Sequence, residues 1–247
     1  MSFHPIAPSR AAEFGLTALV HHERVSSTMD LAHELARAGA AAGTLVIADQ
    51  QTVGRGRNGR HWASAPEAGL WMTLIERPTD PQAVEVLALR LGLALAQALD
   101  ALTVSPITLK WPNDLFVGDG KLAGILVEAR WRDARLDWVA IGIGVNRRVP
   151  PEFPQAAAVR SGVPREALLL AAVPAMRAAC RATGWLSSSE RTAWEQRDRA
   201  RGCQVVQPME GVATGVRDDG ALLVRAADGV THAVRSGSLR LAGESGN

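Results

Sequence analysis

At 247 residues the chain can bury a sizeable core, in one large domain or a domain with a small appendage. Apolar residues make up 47 % and charged residues 21 %, with a net charge of +2, which excludes a disordered chain and a broad polyanion-binding surface. Cys180 and Cys203 are too few for a disulfide framework or a cysteine-based metal site. The opening MSFHPIAPSR lacks a signal-peptide core, and no apolar run nears the ~20 residues of a membrane span. A cytoplasmic location is expected, with neither nucleic acid nor membrane as partner.

The stretch SSTMDLAHELARAGA predicts a helix. Ser27 with Asp30 three residues on forms a capping-box-like start, Leu31 and Leu35 share one face, and Gly39 is its stop. GTLVIADQQ, continuous and β-branched, predicts a buried strand, and GRGRNGRHW follows it at 54–62. GLWMTLIERP predicts another strand. Val84, Leu87, Leu91, Leu95, Ala98 and Leu102 then fall at helical spacing, predicting the main core helix over 82–102.

From 105 to 146 short strands separated by turns predict an antiparallel meander. After the prolines at 150, 151 and 154 a helix is expected from about 164 to 182, with Pro164 in its first turn and Pro174 kinking or dividing it. SSERTAWEQRDRA predicts a further helix. Asp219-Gly220 and Asp228-Gly229 mark hairpin turns that make 201–242 a small all-β module.

The loop at 54–62 satisfies the dinucleotide pattern G-x-G-x-x-G through Gly54, Gly56 and Gly59. That fold also needs a helix opening at the last glycine, and RHWASAPEAGL, with Pro66 and Gly69, lacks helical periodicity. A phosphate loop needs Lys and Ser or Thr after the glycine, where Arg60 and His61 stand. An RG-rich nucleic-acid tract would be longer and sit in a disordered, basic context. What fits is a loop whose glycines let the backbone wrap a ligand while Arg55, Arg57 and Arg60 grip anionic oxygens.

Only two of the 27 basic residues are lysines, Lys110 and Lys121, and they lie within twelve positions. An ammonium and a guanidinium are not interchangeable where a point charge must enter a tight site. KWPND puts Lys110 and Asp114 on one tight turn between strands, GKLAGILVE opens a strand with Lys121, and GIGVN ends another with Asn146. Each alone also reads as a turn, a strand edge or a hydrogen-bonded cap.

Taken in order, ST, GRGRNGRHW, KWPND, KLAGILVE, GIGVN and a final SLR resemble the bacterial biotin protein ligases along nearly the whole chain. The resemblance implies an α+β fold: a mixed, largely antiparallel sheet flanked by helices, like a class II synthetase catalytic domain, over 1–198. A small SH3-like β-barrel would follow over 199–247. It implies activation of biotin by ATP to biotinyl-5′-adenylate, with Mg²⁺, and transfer of the biotinyl group to a lysine of a biotin carboxyl carrier protein. It also allows a homodimer. Because the first motif begins near Ser27 and a domain needs about 50 residues, the monofunctional form without an N-terminal DNA-binding domain is expected.

The same resemblance distributes roles. Lys121 would meet the biotin carboxyl and phosphate region, and Arg55 and Arg57, with Gly56 between them, would close over the adenylate as a mobile lid. Trp62 would pack near the adenine. Lys110 and Asp114 would position reacting groups or the metal. Ser27, Thr28 and Gln51 would bind biotin's ureido and ring region, Asn146 belongs to the ligand-binding set, and Arg240 would reach the nucleotide from the barrel. The family's ST continues with Asn, where this chain has Met29, so that contact would come from elsewhere, such as Asp30, or be lost. The alternatives are a lipoate or octanoate ligase or transferase, and a biotin-binding regulator without catalysis.

Overall fold

The computed structural model describes residues 7–244. Seven strands form one sheet: β1 (Ala18–Val25), β2 (Thr44–Gln51), β3 (Gly69–Glu76), β4 (Thr108–Lys110), β5 (Asp114–Val117), β6 (Gly120–Arg132) and β7 (Arg135–Asn146). Their order is β1-β2-β3-β7-β6-β5-β4. Only β1 and β2 run parallel, joined through helix α1 (Thr28–Arg37); the other pairs are antiparallel. The expected meander from β4 to β7 is present.

Helices cover both faces of this sheet, which is why β2 and β3 read as unbroken apolar runs. Leu45, Ile47, Leu70, Leu74, Ile141 and Val145 point into the main core with α3 (Leu87–Leu99) and α4 (Arg165–Arg181). Val46, Ile75 and Trp138 face the other way, against α1. The helix expected over 82–102 is divided at Val86, with a short α2 (Pro81–Glu85) before α3.

Three details of the sequence reading change. Ser27 caps α1, but its hydroxyl accepts from Met29 N, and Asp30 turns to Arg55 instead of closing a capping box. The face of α1 that packs most deeply is Met29, Ala32, His33 and Ala36, with Leu31 and Leu35 only partly buried beside it. The small Ala32 and Ala36 let the helix lie close to the sheet. Pro164 stands at the N-cap of α4 rather than in its first turn, and Pro174 does not divide the helix. The carbonyl that Pro174 leaves without a partner belongs to Leu170, on the 49 % exposed side, where water can satisfy it.

Helix α5 (Ser188–Glu195), with a complete Ser187–Glu190 capping box, leads to a second, antiparallel sheet. Its strands are β8 (Gln204–Gln207), β9 (Gly211–Val216), β10 (Leu222–Arg225), β11 (Thr231–Val234) and β12 (Arg240–Leu241), in the order β11-β10-β9-β8-β12. Gly220 and Gly229 take the positive φ that both Asp-Gly turns require. Val205, Val216 and Leu222 share one continuous core with the large sheet, and Trp111 Nε1 donates to Gly220 O at 2.9 Å across the join.

Candidate functional site

A cleft of about 1700 Å³ opens on the α1 face of the large sheet. It is walled by the start of α1, the loop 54–62, the β4–β5 turn, the first half of β6 and the C-terminal segment 238–244. Ser27, Thr28, Gln51, Arg55, Gly56, Arg57, Trp62, Lys110, Asp114, Lys121, Asn146 and Arg240 all line it, so every residue expected from the sequence meets in one place.

The floor is made of missing side chains. Gly124 and Gly144 are register partners on β6 and β7, and Gly142 lies opposite Leu126. A Cβ on Gly144 would stand 2.3 Å from Trp62 Nε1, one on Gly124 3.1 Å from the same indole, and one on Gly142 2.7 Å from Met29 Cε. Trp62 therefore lies on the sheet where only glycine permits it, with its Nε1 buried and unpartnered among the described residues. Lys121 Nζ sits 5.1 Å from its ring centre.

Lys121 reaches this face because β6 carries a bulge. Phe116 pairs with Lys121 and Leu115 with Ala123, so one step of β5 spans two of β6, and Leu122 is the extra residue. Regular alternation would put Lys121 and Gly124 on opposite faces. With the bulge, Leu122 and Ala123 are both fully buried and Lys121 shares the cleft with Gly124.

The loop 54–62 opens no helix after Gly59, as its sequence predicts. It folds as a short hairpin: Arg55 bridges His61, Gly56 N donates to Arg60 O at 2.8 Å, and Trp62 N donates to Gly54 O at 2.9 Å. At its tip Asn58 takes φ 56°, Arg57 donates to Asn113 Oδ1 at 3.1 Å and to Gly237 O at 3.2 Å, and Asn58 Nδ2 to Ser238 Oγ at 3.3 Å. Burial lowers the Arg57 pKa, with the charge of Asp114 opposing the shift.

At the opposite end the polar groups satisfy one another. Thr28 N donates to Gln51 Oε1 at 2.8 Å, Gln51 Nε2 donates to Ser64 Oγ at 2.9 Å, and the Thr28 and Thr73 hydroxyls meet at 2.9 Å. Met29 is 3 % exposed and lies against Gly142. Asp30 is ion-paired to Arg55 at 2.5 Å rather than turned into the cleft.

Each lysine has one carboxylate. Lys121 Nζ is 2.7 Å from Asp114 Oδ1, and Lys110 Nζ is 2.5 Å from Glu244 Oε2. Asn146 Nδ2 donates to Lys121 O at 3.2 Å and to Ala157 O at 3.0 Å, fixing the strand that carries the lysine. Among the described residues no group of three His, Cys, Asp or Glu side chains could hold a metal. Asp114 Oδ1 is buried against the Lys121 ammonium, so an ion there would have one protein carboxylate and would take the place of that ammonium, which suits an ion held mainly by phosphates.

Sequence reasoning left several cleft residues without a role. Gly124, Gly142 and Gly144 stood in quoted motifs, and their alternation on paired strands was the available signal. Asn113 lay inside KWPND; it buttresses Arg57 and donates to Ile125 O at 2.7 Å. Glu128 closed the quoted KLAGILVE without a role of its own, while Glu244 in the cleft and Ser64 and His33 behind it carried no local signal.

Comparison with known proteins gives concordant matches. The Biotin/lipoate A/B protein ligase family model matches residues 21–146. The Bifunctional ligase/repressor BirA of Bacillus subtilis is 43 % identical over 138 residues, which is 55 % of this chain and 42 % of that protein. The matched segment thus spans less than half of that relative. The Biotin--acetyl-CoA-carboxylase ligase of Paracoccus denitrificans is 32 % identical over 228 residues, covering 82 % of this chain and 92 % of that protein. The solved biotin protein ligase from Aquifex aeolicus, in complex with biotin and ATP, superposes with a TM-score of 0.74 at 26 % identity, covering 90 % of this chain and 97 % of that one.

Proposed function

The chain belongs to the biotin/lipoate A/B protein ligase family, and we propose that it joins biotin to ATP as biotinyl-5′-adenylate and passes the biotinyl group to a lysine of a biotin carboxyl carrier protein. The observation that carries this reading is the convergence of eleven motif residues and Gln51 on one cleft with a glycine floor, an apolar wall and two ammonium groups.

In the first step a biotin carboxylate oxygen attacks the α-phosphorus, forming the acyl–phosphate bond as the bond to pyrophosphate breaks. Two anions must approach, so positive groups that are already oriented lower the barrier. Lys121 meets the carboxyl and α-phosphate, Lys110 and Arg240 the nucleotide, and Arg57 closes from the loop. Asp114 would be the protein ligand of a nucleotide-borne Mg²⁺, which supplies charge neutralisation on the phosphates. In the second step the carrier's amine attacks the acyl carbonyl and AMP leaves. A lid formed by 54–62 limits hydrolysis of the mixed anhydride between the steps. Ser27, Thr28 and Gln51 bind the ureido end, and Trp62 and Gly56 lie along the ligand.

Residues 1–198 form the catalytic domain and 199–247 an SH3-like barrel, a division favoured by the separate second sheet. The enzyme acts in the cytoplasm, in keeping with two unpaired cysteines, and among the described residues no helix is long and apolar enough to cross a membrane. A homodimer would pair outer sheet edges: β5 covers β6 only as far as Gly124.

The test is ATP/pyrophosphate exchange dependent on biotin, followed by transfer of labelled biotin to a carrier domain. Exchange that requires lipoate or octanoate would favour the second reading, which Met29 at the ureido end recommends. Binding of biotin without exchange would favour a regulator.

A further inference from the structure

A buried polar relay stands behind the cleft wall. The Trp138 indole N–H donates to His33 Nδ1 at 2.9 Å. Indole can only donate, so His33 Nδ1 carries no proton, and the neutral ring must hold it on Nε2. Nε2 accordingly donates to Glu128 Oε2 at 2.9 Å. Burial keeps the His33 pKa below the ordinary histidine range, in keeping with that neutral form. Glu128 Oε1 then accepts from Arg55 at 2.7 Å, and the other guanidinium nitrogen reaches Asp30 Oδ1 at 2.5 Å. Arg130, 3.3 Å from Glu128 Oε2, completes the charged groups around it.

Arg55 is thereby divided between a carboxylate on α1 and one on β6. A guanidinium compensated twice has little net charge left for a phosphate, but its planar fork fixes three elements in one geometry. Arg55 also bridges His61, and the next rung of the same hairpin bears Trp62. Holding Arg55 therefore holds the indole over Gly124 and Gly144. The hydrogen bonds of Arg57, by contrast, go to neutral oxygens, which leaves its charge available to an anion.

We propose that Asp30, Glu128 and, through Glu128, His33 are positioning residues: a clamp on Arg55 that pins the stem of the glycine hairpin and keeps Trp62 seated, so that only the tip at 57–60 moves over a ligand. Arg55 is then a pin and Arg57 the anion-gripping arm. The clamp deepens the ligase reading and rests on it for the identity of the ligand.

The test takes Glu128→Gln, Arg55→Ala and the double variant through two measurements. One is amide hydrogen exchange of the loop 54–62 without ligand; the other is biotin-dependent ATP/pyrophosphate exchange. The clamp predicts about tenfold faster amide exchange in the stem for each single variant, with no further increase in the double. It also predicts that both singles raise KM for biotin more than they lower kcat, and that Glu128→Asp restores part of the loss. If Arg55 grips the nucleotide instead, Glu128→Gln frees it and lowers KM for ATP while Arg55→Ala raises it, and that opposition of sign overturns the clamp. Amide exchange unchanged in both singles overturns it as well. Absence of biotin-dependent exchange in the wild type sinks the ligase reading, and the amide measurement still decides the clamp. Should Glu128→Gln not fold, Asp30→Asn, at a side chain 46 % exposed, carries the same comparison.

Discussion

Lys110 and Glu244 meet at 2.5 Å, an ammonium from β4 against a carboxylate from the C-terminal segment, inside the cleft proposed to receive a nucleotide. A phosphate approaching Lys110 must displace or share that partner. Glu244→Gln is therefore expected to lower KM for ATP about threefold, and Lys110→Ala to raise it. Initial rates over a range of ATP concentrations check both, and a raised KM in Glu244→Gln would mean that the carboxylate orients the lysine rather than competing for it.

Lys121→Ala removes the ammonium proposed to meet carboxyl and phosphate. A fall in exchange rate of roughly 10²- to 10³-fold is expected, the scale of losing one oriented electrostatic group. The variant also leaves Asp114 without its 2.7 Å partner, so Lys121→Arg is the companion measurement. It keeps the charge, and its failure to restore the rate would separate geometry from charge.

Gly144→Ala puts a methyl group where Trp62 lies, 2.3 Å from the indole nitrogen. Overpacking of this kind costs about 1–3 kcal/mol of stability. The expected result is a folded protein with an altered near-ultraviolet dichroism and biotin binding weakened about tenfold or more. Unchanged spectrum and binding together would show that Trp62 is free to leave the floor.

Met29→Asn returns an amide to the ureido end. Calorimetric titration is expected to find biotin bound about fivefold tighter, the value of one hydrogen bond on the order of 1 kcal/mol. Thermal unfolding is expected to find the fold weaker by about 2 kcal/mol, because the thioether that packs against Gly142 is lost. Weaker binding would locate the ureido contact elsewhere.

Away from the cleft, burial pushes the Asp198 carboxyl up to about 6 from an ordinary 3.8. The native state then holds this proton to higher pH than the unfolded chain does. The stabilisation is complete below the unfolded value and is lost as pH rises through the folded one, on the order of 3 kcal/mol in all. Urea unfolding at several pH values between 4 and 7 should therefore give a stability that declines less steeply for Asp198→Asn than for the wild type. Parallel curves would mean that the carboxyl titrates alike in both states.

Much of the architecture was legible because it depends on neighbours in the chain. Ser27 caps a helix, Asp219-Gly220 turns a hairpin, and the absence of periodicity after Gly59 ruled out a dinucleotide helix. Most of the twelve expected site residues sit at turns and at strand or helix ends whose local chemistry was readable, but their meeting also needs the bulge at Leu122 and, for Arg240, the packing of the second sheet. The rest depends on residues far apart. Glu128 is 73 positions from Arg55 and 95 from His33, and Glu244 is 134 from Lys110. Their pairing follows from how α1, β6 and the C-terminal segment pack, for which no local pattern exists. Leu31 and Leu35 share a face, as expected, and pack against the cluster of Val46, Ile75 and Trp138, but close helix–sheet contact gave the deepest positions to the smaller Ala32 and Ala36.

The bulge at Leu122 makes chain length as much a determinant of the chemistry as residue identity. Inserting one residue into β5 between Leu115 and Phe116 would give Leu122 a partner, restore strict alternation from Lys121 to Gly124 and swing the ammonium to the face opposite Gly124, although every motif residue would still be present. The register of KLAG against β5 is thus as much a part of the site as its side chains, and a variant that removes the bulge should lose function that no substitution at 121 could return.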